Sequence, residues 1–318
     1  MRNGNMGKFL IDIDKINTTY IRMNLALADS MTDASAEEGQ MIVMDMQDSS
    51  IVGHASLKIH DGEGGFVFNV HKVKEVDFIG VTMGDTLEYL DTKTISHIPL
   101  RIVMPIVSYL TMLEFGMKPT DEVTWTGGVN SVDELFLQGH YRPLVECPAM
   151  IEPIGLGNLN AVLSRLGFLS QGGPDNLDLL EKMRIYPFQM VEWMNQLALG
   201  EGLSQVFKPE IDNTNGPRKS IKKLQQLLMQ CGTEAMNHAK GESKTSVSGY
   251  SFVSMPDNKL YRDIAFCGNF PADNPKYGFL IWLHKKEESE ESIDQERKEL
   301  GIHAAKACKT VVDYIMSL

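Results

Sequence analysis

From Asp14 to Ala34 apolar residues recur at helical spacing, at Ile16, Tyr20, Met23 and Leu27, with charged and amide side chains between them. That pattern lays one apolar stripe along a helix. Met41-Ile-Val-Met-Asp-Met46 is dense enough in bulky residues for a strand. Gln47-Asp-Ser-Ser50 supplies turn residues, and Ile51 to Lys58 returns as the second arm of a hairpin. The glycines of His60-Asp-Gly-Glu-Gly-Gly65 predict a loop.

The middle of the chain switches to helical signals. Pro99 opens an apolar segment that continues through Pro105 to Gly116, with Gly116 as its C-terminal stop and Pro119 beyond it. Asn158 to Leu166 reads as a helix ending at Gly167, and Pro187 stands where the helix over Phe188 to Leu199 begins. A longer helix starts after Pro217 and runs through Ser220 to Met229 and on toward His238. Strand patterns then reappear over Ser246–Val253, Asp263–Gly268 and Tyr277–Leu283, with connections short enough to require antiparallel pairing. The last segment, Ile293 to Ile315, puts Leu300, Ala304, Ala307, Val311 and Ile315 on one helical face. Strands from both chain ends with helices between them predict an α+β fold.

The composition narrows the function. At 318 residues, 43% hydrophobic and 23% charged, the chain can bury a large core, and the apolar fraction excludes intrinsic disorder. A formal charge of −12 argues against nucleic-acid binding, which needs clustered Lys and Arg. Part of the acid lies in the mixed run from His284 to Glu299, which reads as a solvated turn and helix start. Cys147, Cys231, Cys267 and Cys308 are far apart and have no CxxC or histidine cluster, so buried thiols are expected, with no disulfide framework and no metal site. No apolar run has the length of a membrane segment, and the start of the chain lacks the hydrophobic stretch of a signal peptide. The 19 methionines suit core filling. No P-loop, G-x-S-x-G, HExxH or GxGxxG is present, and no cofactor is expected.

Three collinear segments carry a resemblance. Phe266-Cys-Gly-Asn-Phe-Pro-Ala-Asp-Asn-Pro-Lys-Tyr277, ahead of an apolar strand, resembles the F-x-G-x-x-P-A-x-x-P stretch of penicillin-binding protein transpeptidase domains. Gln40 to Ala55 resembles the opening hairpin of that domain, with Asp48-Ser-Ser50 in place of its Thr-Gly turn. Tyr186-Pro-Phe-Gln-Met190 is similar to the T-P-L-Q that starts one of its helices. The order matches over about residues 12–318, nearest to the class B type. The resemblance implies a five-stranded antiparallel sheet flanked by helices, beside an all-helical lobe. The α/β lobe would hold 1–98 and 241–318, and the helical lobe 99–240. It also implies an extracytoplasmic location and partners drawn from the peptidoglycan stem peptide or the cell-wall synthesis proteins.

The family's reaction is acyl transfer through a serine, which needs a neighbouring base to take its proton. An S-x-x-K at a helix start, an S-x-N and a strand K-T-G form its site. The stretch matching E-P-G-S-x-x-K-P is His97-Ile-Pro-Leu-Arg-Ile-Val-Met-Pro105, with Leu113-Glu-Phe-Gly116 at the expected distance. The serine position is then Arg101 and the lysine position Met104, neither of which can do the work. The S-x-N region maps to Ile151-Glu-Pro-Ile-Gly155, so Ile151 and Pro153 replace its functional pair. After Val247-Ser-Gly249, the K-T-G positions are Tyr250, Ser251 and Phe252; a competing register would use Lys244-Thr-Ser246. The literal Ser220-Ile-Lys-Lys223 sits in a basic helix start more than a hundred residues too late.

No catalytic residue is therefore assigned. The leading expectation is an inactive transpeptidase-like domain kept for binding or scaffolding. The alternative is an active transpeptidase or related serine hydrolase with displaced catalytic groups. At Arg101 three readings are open: binding a ligand carboxylate, plugging the groove by pairing with an acidic neighbour, or an ordinary surface or salt-bridged arginine.

Overall fold

Strands drawn from the two ends of the chain meet at the centre of one sheet. The computed structural model describes residues 6–59, 66–68, 97–125, 128–139, 152–169, 173–200, 219–239, 243–254, 261–286 and 296–318. Helix α1 (Met6–Ala34) leads into β1 (Ala36–Asp45), β2 (Ile51–Ile59) and the short β3 (Phe66–Phe68). Next come β4 (Ile98–Pro99), a 3-10 turn (Leu100–Ile102), α2 (Met104–Glu114), the hairpin β5 (Glu122–Trp125) and β6 (Gly128–Ser131), and α3 (Val132–Gly139). The chain continues through α4 (Leu156–Arg165), α5 (Leu177–Lys182), β7 (Arg184–Ile185), α6 (Pro187–Leu199) and α7 (Lys219–His238). It closes with β8 (Ser248–Val253), β9 (Tyr261–Phe270), β10 (Tyr277–Lys286) and α8 (Glu296–Met316).

The main sheet has the order β3-β2-β1-β10-β9-β8, and every pair is antiparallel. Five of its strands are those expected from sequence; β3 adds a three-residue edge. The β5–β6 hairpin, α3 and α5 carried no sequence signal strong enough to assign. They are short, and a four-residue strand has too few alternations to stand out.

Both faces of the sheet are covered, which explains why its strands read as nearly unbroken apolar runs. In β1, Met41 and Val43 join the core under α1 and α8, whereas Ile42 and Met44 join the core that includes α2 and α6. β10 alternates likewise, with Phe279, Ile281 and Leu283 on the first side and Leu280 and Trp282 on the second.

The expected helix ends hold for backbone reasons. At Gly116 (φ 95°) and Gly167 (φ 80°) the chain enters the left-handed region that a glycine adopts freely. In both cases its N–H and that of the next residue bond back to carbonyls of the last turn: Gly116 to Leu113, Met117 to Met112, Gly167 to Ser164 and Phe168 to Leu163. At the start of α6, Pro187 takes the first helical position and the Gln189 side chain accepts the Tyr186 N–H at 3.0 Å.

Helix α7 lies directly on the backbone of β8. A Cβ on Gly232 would stand 2.3 Å from the Val247 carbonyl oxygen and 2.8 Å from the Gly249 nitrogen. In an open helix Gly→Ala stabilises by about 1 kcal/mol. Here the neighbouring atoms are backbone and cannot swing aside, so Gly232→Ala is expected to destabilise the protein despite its better helix propensity. The midpoint of urea unfolding measures the sign.

His54 on β2 gives a pH dependence. Its Nε2 is buried with no hydrogen-bond partner, and burial pushes the imidazole down from 6.5 to about 4. The unfolded chain takes up this proton near 6.5 and the folded chain resists until about 4. Stability from this group is therefore intact at neutral pH and lost across that interval as the pH falls, by roughly 3 kcal/mol. Unfolding titrations from pH 7 to 4 should show a correspondingly shallower decline in His54→Leu.

Candidate functional site

The 3-10 turn after β4 places Arg101 where the resemblance expects the nucleophile. Leu100 and Ile102 are fully buried on either side and anchor the turn, and the Leu100 N–H donates to the Met183 carbonyl at 2.8 Å. Arg101, 15% exposed at its side chain, extends to Asp263 on β9, which is 1% exposed. Its Nε donates to Asp263 Oδ2 at 3.0 Å, and Nη2 donates to the same oxygen. Arg101 is thus paired to an acidic neighbour of its own chain.

Asp263 collects further donors on its other oxygen. Trp282 Nε1 donates to Oδ1 at 3.0 Å, and His284 Nδ1 lies 2.9 Å from it. A carboxylate only accepts, so the contact selects the Nδ1–H tautomer of His284. The His284 ring stacks flat on Tyr261 at 4.6 Å, and the Tyr261 hydroxyl donates to Glu37 Oε2 at 3.3 Å. The Asp263 N–H donates to Ser254 Oγ at 2.8 Å. Burial pushes the Asp263 carboxyl up, but the His284 hydrogen bond and the Arg101 charge outweigh it and hold the group below the usual carboxylate range. Its contribution to stability is complete above a pH of about 4 and fades as the pH falls further.

The other motif positions are also filled. Met104, the first residue of α2, is fully buried in the core. Ile151 lies outside the described residues. Pro153 sits exposed in the turn before α4, with Ile154 beneath it in the core. Tyr250, Ser251 and Phe252 lie inside β8 and are 1%, 0% and 1% exposed. Tyr250 and Phe252 face the core on the α2 side. The Tyr250 hydroxyl donates to the Phe136 carbonyl at 3.1 Å, and its ring is 4.8 Å from that of Phe136, which is 4.7 Å from Tyr109. Tyr109 donates to Asp133 at 2.6 Å, and Asp133 pairs with Lys223 at 2.6 Å. These contacts join α2, α3, α7 and β8 through Tyr250.

The residues of the competing register lie just ahead of β8. The backbone N–H groups of Lys244 and Thr245 donate to the Asp313 carboxylate of α8 at 2.9–3.2 Å. The literal Ser220-x-x-Lys223 does not act as a pair: Ser220 donates to Glu114, and Lys223 is committed to Asp133. Cys231, Cys267 and Cys308 are free and buried; Cys147 lies outside the described residues. Burial pushes the Cys267 thiol up to about 12. Among the described residues no helix is long and apolar enough to cross a membrane, and no His, Cys, Asp and Glu group of three or more is placed to hold a metal ion.

Solved structures share this arrangement. The transpeptidase domain of a D,D-transpeptidase from Legionella pneumophila superposes with a TM-score of 0.55 at 13% identity, covering 92% of this chain and 96% of that one. The fold is that of a penicillin-binding-protein transpeptidase domain. Penicillin-binding protein 3 of Mycobacterium tuberculosis gives a TM-score of 0.57 at 15% identity over 95% of this chain and 77% of its own. The transpeptidase domain of Burkholderia pseudomallei penicillin-binding protein 3 gives 0.57 at 12% identity, with 95% of each chain covered. No family model matches the sequence, and no curated protein matches it.

Within this transpeptidase fold, sequence reasoning found Arg101 and missed its partners. The signal was a single carboxylate opening the apolar run Asp263-Ile-Ala-Phe-Cys267, which demands a cation nearby. What the sequence lacked was the spatial link across more than 160 residues.

Removing one member of a buried ion pair leaves the other charge uncompensated, at a cost of about 3–5 kcal/mol. Arg101→Met and Asp263→Asn should each destabilise strongly. The double variant should lose clearly less than the sum of the two. Urea unfolding of the four proteins measures the coupling, and additive losses would contradict the described pair.

Proposed function

We propose that this chain is a non-catalytic penicillin-binding-protein-like domain, serving cell-wall synthesis by binding or scaffolding. The observation that carries this reading is Arg101, which stands at the position of the attacking serine and is consumed by a buried ion pair with Asp263. An arginine at that place offers no hydroxyl to acylate, and Met104 has no proton to exchange one turn later. The aromatic contacts of Tyr250 support the same reading, because they occupy the strand position where a cation would receive the substrate's carboxylate. The division into an α/β lobe (1–98 and 241–318) and a helical lobe (99–240) belongs to this proposal. Its support is the main sheet, which draws all its strands from 1–98 and 241–318, whereas the segment between them is mostly helical.

The similar structures include a D,D-transpeptidase and a peptidoglycan synthetase, and the cell-wall setting of this proposal is drawn from that likeness. A displaced hydrolase centre gains no support from Ser220, whose partner is Glu114 while Lys223 is held elsewhere.

The test is covalent labelling. Incubated with a fluorescent penicillin and run on a denaturing gel, the protein should carry no label. Stoichiometric labelling that disappears on replacing one serine would overturn the proposal.

A further inference from the structure

Asp263 is bonded by two basic side chains, and the charge of only one of them is permanent. Arg101 donates to Oδ2 through Nε and Nη2 and stays cationic at any pH the protein survives. His284 holds Oδ1 through Nδ1 at 2.9 Å, beside the Trp282 N–H at 3.0 Å. As a neutral imidazole it supplies a hydrogen bond; with a second proton on Nε2 it supplies a full positive charge to the same carboxylate. Asp263 is 1% exposed, so water screens these charges poorly.

The His284 side chain is 18% exposed, which lets solvent deliver the proton. Its ring is fixed in place, lying within 3° of the Tyr261 plane at 4.6 Å and 5.6 Å from the Trp282 ring. Among the described residues, the other charged groups around it come from three strands. Glu38 of β1 is its register partner, and Lys58 of β2 is the partner of Glu38. Glu37 of β1 reaches the stack through the Tyr261 hydroxyl, and Lys285 and Lys286 follow on β10 itself. Asp263 bonds the imidazole directly, and Arg101 stands on the far oxygen of that carboxylate. A proton on His284 therefore competes with Arg101 for one negative charge and is repelled by the guanidinium. Weakening either cation strengthens the hold of the other.

We propose that Arg101, Asp263 and His284 form a proton-sensitive latch on the turn between β4 and α2. At alkaline pH Arg101 is the counter-charge of Asp263 and pins the turn to β9. On acidification His284 takes over part of that duty, and Arg101 holds the turn less firmly.

Urea unfolding of the full chain at pH 9 and pH 5, on either side of the ordinary histidine range, tests this. Arg101→Met should lower the midpoint at both, with the loss at pH 5 smaller by roughly a third or more. In His284→Asn, which keeps an N–H near the Nδ1 position and cannot be charged, Arg101→Met should cost the same at both. His54 is common to all four proteins and cancels from the comparison. A second measurement needs no change at Arg101. By NMR of the folded wild type, the Arg101 Nε–H, corrected for its intrinsic exchange rate, should lose protection from solvent between pH 8 and 5. In His284→Asn it should not. An Arg101→Met loss equal at both pH values overturns the proposal, as does Nε–H protection that is constant in the wild type. So does a pH dependence that survives in His284→Asn, because the proton would then be going to Asp263 itself.

Discussion

A carboxylate stays ionised inside a protein only where cations and donors replace its water, and Asp263 imposes that requirement on the segments around it. Arg101 answers from the turn after β4. Trp282 and His284 answer from β10, and Tyr261 braces the imidazole by stacking. The turn, two neighbouring strands and the first residues of α2 are thereby fixed relative to one another. A hydrophobic side chain at 263 would have left Arg101 with no reason to point inward. The ion pair thus accounts for the burial of an arginine.

The remaining contacts repeat this logic of filling. Tyr250, Phe136 and Tyr109 form a run of rings across β8, α3 and α2, and Asp133 with Lys223 closes its polar end. Large apolar rings packed against one another there add about 0.5–1.5 kcal/mol per pair beyond their burial.

Much of the architecture was legible because its signals are local. The glycines at 116 and 167 mark helix ends through backbone conformation alone, and Pro187 with Gln189 marks a helix start. The five long strands were readable because burial on both faces makes each a dense apolar run. The site was legible only in part. The proline frame around Arg101 aligned it with a known motif, but its destination depended on a strand far along the chain. Tyr250 and Phe252 were identified as replacements, while their closing contact with α3 was not, since α3 itself lacked a clear pattern. Sequence periodicity reports which side of an element is buried and is silent on what lies against it.

The pairing of β1 with β10 joins Met41 to Ile281, so the middle of the sheet is closed by two segments far apart along the chain. Bringing them together costs about 5 kcal/mol in chain entropy for a loop of this size. No early fragment can recover that cost, because the β1–β2 hairpin has its apolar faces ready long before β10 exists. Completion of the sheet must wait for β10, and until then β1 presents an unpaired edge, the condition under which nascent chains aggregate or recruit chaperones.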